Sequence, residues 1–145
     1  MMQTTKLARI LSLILCMVLL AAMTLSAAGC GGTEPTPNGT FTDGAVLGEG
    51  AVSFTLTVTD SNGQTSGCTV KTDAATVGDA LTALGLIAGD NGAYGLYVKT
   101  VNGITADYDV DQTYWAFYID GEYATSGVDT TDIAPGCAYM LKVEK

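Results

Sequence analysis

Apolar and polar residues alternate along residues 52–59, where valine, phenylalanine and leucine are separated by serine and threonine. A period of two is typical of a β-strand with one buried and one solvated face. The turn-forming residues Asp-Ser-Asn-Gly follow at 60–63, and a second strand is predicted over Gly67–Lys71. The ordered part of the chain is therefore predicted to begin with a β-hairpin.

The next segment changes to a helical period. Thr76 and Asp79 have the spacing of a capping box, and Gly85 is well placed to end a helix. The apolar residues that share one helical face are Val77, Ala80, Leu81 and Leu84. Because so short a helix is marginal by itself, we expect this face to pack on a sheet.

Three further strands are predicted, over Leu96–Val101, Tyr114–Ile119 and Cys137–Glu144. Asn102-Gly103 and Asp120-Gly121 suit tight turns because both positions tolerate positive φ. The order strand, strand, helix, strand, strand, strand predicts an α+β, β-grasp-like fold. In this fold one short helix packs on a mostly antiparallel sheet of about five strands.

The N-terminus has the pattern of an export signal. Lys6 and Arg9 precede the apolar run Ile10–Ala22, and small residues then precede Cys30, which resembles the lipobox of bacterial lipoproteins. We expect a signal peptide at 1–29, lipidation of Cys30, a flexible tether at 30–50 and one domain at 51–145. The expected location is extracytoplasmic, anchored to the bacterial membrane. The alternative is ordinary cleavage that leaves Cys30 as a free thiol.

The charge excludes one class of partner. The chain has a net charge of −9, and removal of Lys6 and Arg9 with the signal leaves four basic residues against 15 acidic ones, a net charge of −11. A surface this acidic repels nucleic acid, and no basic cluster reverses the repulsion. Nucleic-acid binding is therefore not expected.

Two cysteines remain in the predicted domain, Cys68 and Cys137. An extracytoplasmic location permits a disulfide between them. Two small buried thiols are an equal alternative, since free cysteine is often buried and the sequence gives no distance between the two positions.

The residue types argue against catalysis. The chain has no histidine, which removes imidazole bases and histidine-based zinc sites and leaves neither thiol with an activating partner. Asp107, Asp109 and Asp111 alternate, but Gln112 and Tyr118 stand where an EF-hand requires glycine and glutamate, so a solvated acidic loop is the simpler interpretation. The chain is predicted to be neither an enzyme nor a metal protein.

Three segments carry a family resemblance. Gly95-Leu96-Tyr97-Val98-Lys99-Thr100-Val101-Asn102-Gly103, Tyr114-Trp115-Ala116-Phe117-Tyr118-Ile119-Asp120-Gly121-Glu122 and Ser126-Gly127-Val128 occur in this order. Together they resemble the C-terminal domain of transcobalamin and intrinsic factor, over roughly residues 52–145. Similar domains occur in bacterial surface proteins and lipoproteins.

The resemblance implies a β-grasp-like domain that covers one face of cobalamin. It also implies that the residues facing the ligand are Thr100, Trp115, Phe117, Ser126 and Gly127. An apolar ring rimmed by amides suits aromatic area, hydroxyls and bare backbone. The helical barrel that covers the other face in the vitamin carriers is absent from this chain, so we expect weak binding unless a partner completes the site.

The function expected from the sequence is that of a membrane-anchored lipoprotein that binds a cobalamin-like corrinoid or related small ligand and hands it to a transporter. The corrinoid is expected as a ligand, with no catalytic cofactor. The alternative is a cell-surface protein–protein interaction or spacer module without a small ligand. The sequence does not show which face of the aromatic strand Tyr114–Ile119 is buried.

Overall fold

The computed structural model describes residues 39–145. The strands are β1 (Ala45–Leu47), β2 (Val52–Thr59), β3 (Thr65–Thr72), β4 (Ile87–Gly92), β5 (Gly95–Val101), β6 (Ile104–Thr105), β7 (Tyr114–Ile119), β8 (Glu122–Tyr123) and β9 (Ala138–Glu144). The helices are α1 (Val77–Ala83), α2 (Tyr108–Asp111) and a 3₁₀ helix at Val128–Thr130. The described part of the chain is thus a mixed α/β structure in which strands predominate.

The strands form two sheets. One has six strands in the order β1-β3-β2-β9-β7-β8, and the other has three in the order β4-β5-β6. Strand β2 is antiparallel to β3 and parallel to β9, and β9 is antiparallel to β7. The first long strand and the last strand therefore lie side by side in the middle of the larger sheet.

The predicted hairpin and helix cap are present. Strands β2 and β3 pair from Val52↔Thr72 to Thr59↔Thr65, and Gly63 has a φ of +81° in the connecting turn. The side chain of Thr76 accepts a hydrogen bond from the Asp79 amide at 3.1 Å, which satisfies one of the free donors at the start of α1.

The core lies between the larger sheet, α1 and the smaller sheet. Tyr139 of β9 is 1% exposed, packs edge-on against Phe54 at 5.2 Å between ring centroids, and stacks on Phe117 at 5.9 Å. Val77 and Leu81 of α1 are fully buried in the same cluster, together with Val101 of β5. The apolar face of the short helix therefore packs as its periodicity predicts.

The prediction of about five strands in one sheet is wrong. The additional strands are too short to show an alternation, as in β1, β6 and β8, or are almost wholly exposed, as in β4. Where no face is buried, no apolar pattern marks the strand.

Part of the predicted tether belongs to the packed structure. Phe41 is 7% exposed in the core, and Ala45 and Leu47 of β1 are buried where this strand pairs in parallel with β3. The predicted signal peptide, Cys30 and the tether as far as residue 38 lie outside the described residues. Within residues 39–145, no helix is long and apolar enough to cross a membrane.

Candidate functional site

The two aromatic residues assigned to the ligand face point into the core. Trp115 and Phe117 of β7 are each 8% exposed. The Trp115 indole Nε1 donates to the backbone oxygen of Lys99 in β5 at 3.1 Å and so joins the two sheets. In this conformation both side chains stabilise the fold and offer almost no surface to a ligand. Their assignment to the ligand face remains a prediction.

The other three assigned residues lie at two places along β5. The Thr100 hydroxyl is within 3.2 Å of that of Thr105, near the end of β5. The Ser126 hydroxyl is 2.9 Å from that of Thr131, and the Gly127 carbonyl accepts from Thr131 Oγ1 at 2.7 Å, in the loop that precedes Asp129. Asp129 in turn contacts Leu96 at the start of β5. The structure therefore places Ser126 and Gly127 near one end of this strand and Thr100 near the other.

A cleft opens beside this loop. Its volume is about 550 Å³, within the range of about 300–1,000 Å³ that is typical of small-molecule sites. The α1 residues that line it are Gly78, Asp79, Thr82 and Ala83. The β4 residues that line it are Ile87, Ala88, Gly89 and Asn91. Leu96 and Asp129 complete the wall, and we refer to this cavity as the Asp129 cleft.

Asp129 contributes a buried oxygen without a partner at this wall. Its Oδ2 atom accepts a hydrogen bond from the Leu96 amide at 3.0 Å. Its Oδ1 atom is buried and has no hydrogen-bond partner among the described residues. A buried acceptor without a partner costs about 1–3 kcal/mol, and more when it is charged. Such a group in the wall of a cavity points to a binding role.

Three glycines from separate parts of the chain surround Asp129. A Cβ atom on Gly78 would lie 2.7 Å from the Asp129 Cα atom, and one on Gly127 would lie 2.9 Å from Oδ1. A Cβ atom on Gly95, whose φ is +103°, would collide with the carboxylate. The carboxylate therefore fits because Gly95 and Gly127 lack a side chain, and the backbone of Asp129 fits because Gly78 does.

A second polar cluster lies around Glu144 on the larger sheet. Tyr118 donates to Glu144 Oε1 at 2.6 Å, Tyr114 donates to Oε2 at 3.4 Å, and Tyr123 packs edge-on against Tyr118 at 5.3 Å. The hydrogen bond to Glu144, followed by burial, raises the pKa of Tyr118 to about 12. The same bond is the largest cause of the lowered pKa of Glu144. The half-buried tyrosines Tyr114 and Tyr118 thus use their hydroxyls to hold this carboxylate.

Cys68 and Cys137 are both free and buried. Cys68 lies in β3 and Cys137 precedes β9, with β2 between these strands. Two strand spacings of about 4.8 Å exceed the roughly 7 Å that a disulfide can span between Cα atoms. Burial raises the pKa of Cys68 to about 12, and burial followed by a hydrogen bond to Asp120 raises that of Cys137. The two are therefore buried thiols.

The alternating aspartates shape a local turn. Asp107 caps α2 by accepting from the Asp109 amide at 3.1 Å, and Asp111 accepts from the amide and hydroxyl of Thr113. These bonds to Thr113 lower the pKa of Asp111. Among residues 39–145, no group of three or more histidine, cysteine, aspartate or glutamate residues is placed to hold a metal ion.

The Asp129 cleft was not predicted from the sequence. Its walls come from α1, β4, β5 and the 3₁₀ helix, and its lining residues Gly78 and Asp129 are 51 positions apart along the chain. The only local signal is the density of glycine around residues 78, 95 and 127. Glycine has many uses, so this signal does not identify a cavity.

Comparison with known proteins identifies a family domain in the chain. Residues 74–144 match the model of a domain of unknown function, DUF4430. No curated protein matches the chain. A proposed metal-binding protein from Ruminococcus gnavus ATCC 29149 is similar in structure, with a TM-score of 0.62 and 30% identity, covering 66% of this chain and 98% of that one.

Haptocorrin in complex with Cbi is similar at a lower level. The TM-score is 0.49 and the identity 18%, over 68% of this chain and 27% of that one. A similarity this weak carries no argument about the ligand of the present chain. The match at residues 74–144 and the Ruminococcus gnavus relative show that the chain belongs to the DUF4430 family.

Proposed function

We propose that the protein is a bacterial surface lipoprotein, anchored through Cys30, whose domain binds a cobalamin-like corrinoid or a related small ligand and passes it to a membrane transporter. The observation that carries the binding role is the Asp129 cleft, a cavity of about 550 Å³ lined by a residue whose buried carboxylate oxygen has no hydrogen-bond partner among residues 39–145. The proposed role is binding without catalysis.

The choice of a corrinoid as ligand rests on the resemblance of the three sequence segments to the transcobalamin C-terminal domain. The topology supports the same β-grasp-like assignment, because the β2–β3 hairpin is followed by α1 and the last strand returns parallel to β2. The Ruminococcus gnavus relative, a proposed metal-binding protein, gives weak support for ligand binding in general.

The size of the cleft limits how such a ligand would bind. A corrinoid is a broad ring, so a cavity of this volume would take only an edge of it and would leave the rest exposed. A partner that covers the exposed face would raise the affinity, since half a site buries half of the ligand.

Equilibrium dialysis against cobalamin and cobinamide tests the proposal. We expect retention of a corrinoid at high micromolar concentration, and weaker retention by Asp129→Ala. An unchanged distribution of both corrinoids across the membrane at that concentration would contradict the corrinoid assignment.

The alternative is a surface interaction module, and one observation favours it. Tyr94 is 100% exposed and Tyr97 is 40% exposed at the β4–β5 hairpin, and β4 is an edge strand of its sheet. Exposed tyrosines and an open strand edge are typical of peptide recognition. Cross-linking in the envelope of the producing cell should then give a partner that is lost in Tyr94→Ser and unaffected by added corrinoid.

A further inference from the structure

The Asp129 cleft has walls of one charge. Its charged lining residues are Asp79 and Asp129, and within residues 39–145 neither lysine nor arginine lines it. Ile87 and Leu96 add apolar surface beside these acids. Lys99, the nearest base along β5, is held between Asp90 at 2.9 Å and Asp107 at 3.2 Å, so its charge is already paired.

An ionised carboxylate only accepts hydrogen bonds, so its partner must donate. A ligand group with its own negative charge would meet two like charges without a compensating cation. An N–H group would instead give the Asp129 Oδ1 atom the partner that it lacks. The chemistry of the wall therefore discriminates between classes of ligand.

Access to Oδ1 requires the carboxylate to turn. Gly127 packs against this atom, and less than 1 Å² of the atom is accessible. The terminal torsion of aspartate is broad, and Oδ1 has no hydrogen bond to break when the carboxylate turns towards the cleft. The same turn moves Oδ2 as well, so its bond from the Leu96 amide weakens as the bond from the ligand forms.

We propose that Asp129 recognises an N–H donor on the ligand, a carboxamide or an ammonium group, that Ile87 and Leu96 hold the adjoining hydrocarbon, and that the cleft rejects carboxylates. This inference rests on the proposed function in taking the Asp129 cleft as the ligand site. It adds the chemical group that the site selects.

Nuclear magnetic resonance titrations of the full chain in detergent test the donor class directly. The probes are propionamide, propylammonium and propionate, which share a short hydrocarbon and differ in the polar group. We expect the first two to shift the amide signals of Gly78, Leu96 and Asp129 at millimolar concentration, and propionate to leave them unchanged.

Two variants distinguish recognition of the donor by Asp129 from a general effect of the protein's negative charge. Asp129→Asn keeps an oxygen for the Leu96 amide and should weaken binding of propylammonium at least about tenfold, because a charge-assisted hydrogen bond is lost. Asp132→Asn makes the same charge change at an exposed site three residues away and should bind like the wild type. Equal binding of propionate, no shift by any probe, or unchanged affinity in Asp129→Asn would each overturn the inference.

Competition with cobalamin and cobinamide distinguishes this inference from the proposed function. If the donor probes bind as expected and neither corrinoid displaces them, the corrinoid assignment fails while the donor selectivity stands. If a corrinoid binds while the three probes and Asp129→Asn show no selectivity, the inference fails and the corrinoid assignment stands.

Discussion

Replacing Trp115 by alanine tests whether this residue belongs to the core or to a ligand surface. The side chain is 8% exposed, and its indole N–H holds the Lys99 carbonyl at 3.1 Å. Truncation of a buried tryptophan lowers the free energy of unfolding by about 3–5 kcal/mol, and loss of the hydrogen bond to the Lys99 carbonyl lowers it by about 1 kcal/mol more. A folded unit of roughly 100 residues has a free energy of unfolding of about 5–15 kcal/mol, so Trp115→Ala should lose a large share of it.

Urea denaturation followed by far-ultraviolet circular dichroism is the suitable measurement, because Trp115 is the only tryptophan and the variant has no tryptophan fluorescence. Tyr123→Ala is the control, since this aromatic side chain is 58% exposed and should cost less than about 1 kcal/mol. If Trp115→Ala stays within about 1 kcal/mol of the wild type and loses corrinoid retention, the core assignment is refuted and Trp115 belongs to the ligand face.

Three further predictions concern other parts of the molecule. Gly95→Ala should destabilise the protein by at least about 1 kcal/mol more than Gly121→Ala, since both glycines have positive φ but only a Cβ atom at Gly95 meets the Asp129 carboxylate. The pKa of Tyr118 is raised from 10.0 to about 12, so the stabilisation from its bond to Glu144 is fully present below pH 10 and is lost as the pH rises through 12. Tyr118→Phe should remove this alkaline loss of stability, as measured by the free energy of unfolding at a series of pH values. Cys68, with a pKa raised to about 12 by burial, should react with an aromatic disulfide reagent at pH 8 only after denaturation.

Each of these predictions has a clear contrary result. Equal unfolding free energies for the two glycine variants would show that the Asp129 carboxylate moves aside without cost. An alkaline stability profile of Tyr118→Phe that matches the wild type would mean that the Glu144 bond does not shift the titration. Rapid labelling of the folded protein, confirmed at Cys68 by mass mapping, would contradict its burial.

The elements that the sequence predicted well are those whose cause is local. The alternation over residues 52–59 reflects a strand with one buried face. The Thr76 hydroxyl accepts a hydrogen bond from the amide of Asp79, only three residues further along the chain. Asp120-Gly121 forms the predicted turn, with φ of +50° and +86°. In each case the residues that determine the geometry are neighbours in the chain.

The features that escaped prediction depend on distant pairs. Leu96 and Asp129 are 33 residues apart, and no sequence periodicity predicts the hydrogen bond between them. Glu144 is 26 residues from Tyr118, so no local pattern pairs the two side chains. The faces of β7 could not be distinguished either, because both carry aromatic residues and only packing shows that Trp115 and Phe117 are inside.

The parallel pairing of β2 with β9 has a consequence for how the chain folds. Thr55 pairs with Ala138 and Thr59 with Lys142, so the middle of the larger sheet closes a loop of about 80 residues. Contacts this far apart form slowly, because the entropy of the closed loop is lost before the contacts are gained. Until ribosomal synthesis passes Glu144, the growing chain has only its hairpins and its short helix. Truncation before Ala138 would therefore divide the sheet at its centre, whereas loss of β8 would shorten only its edge.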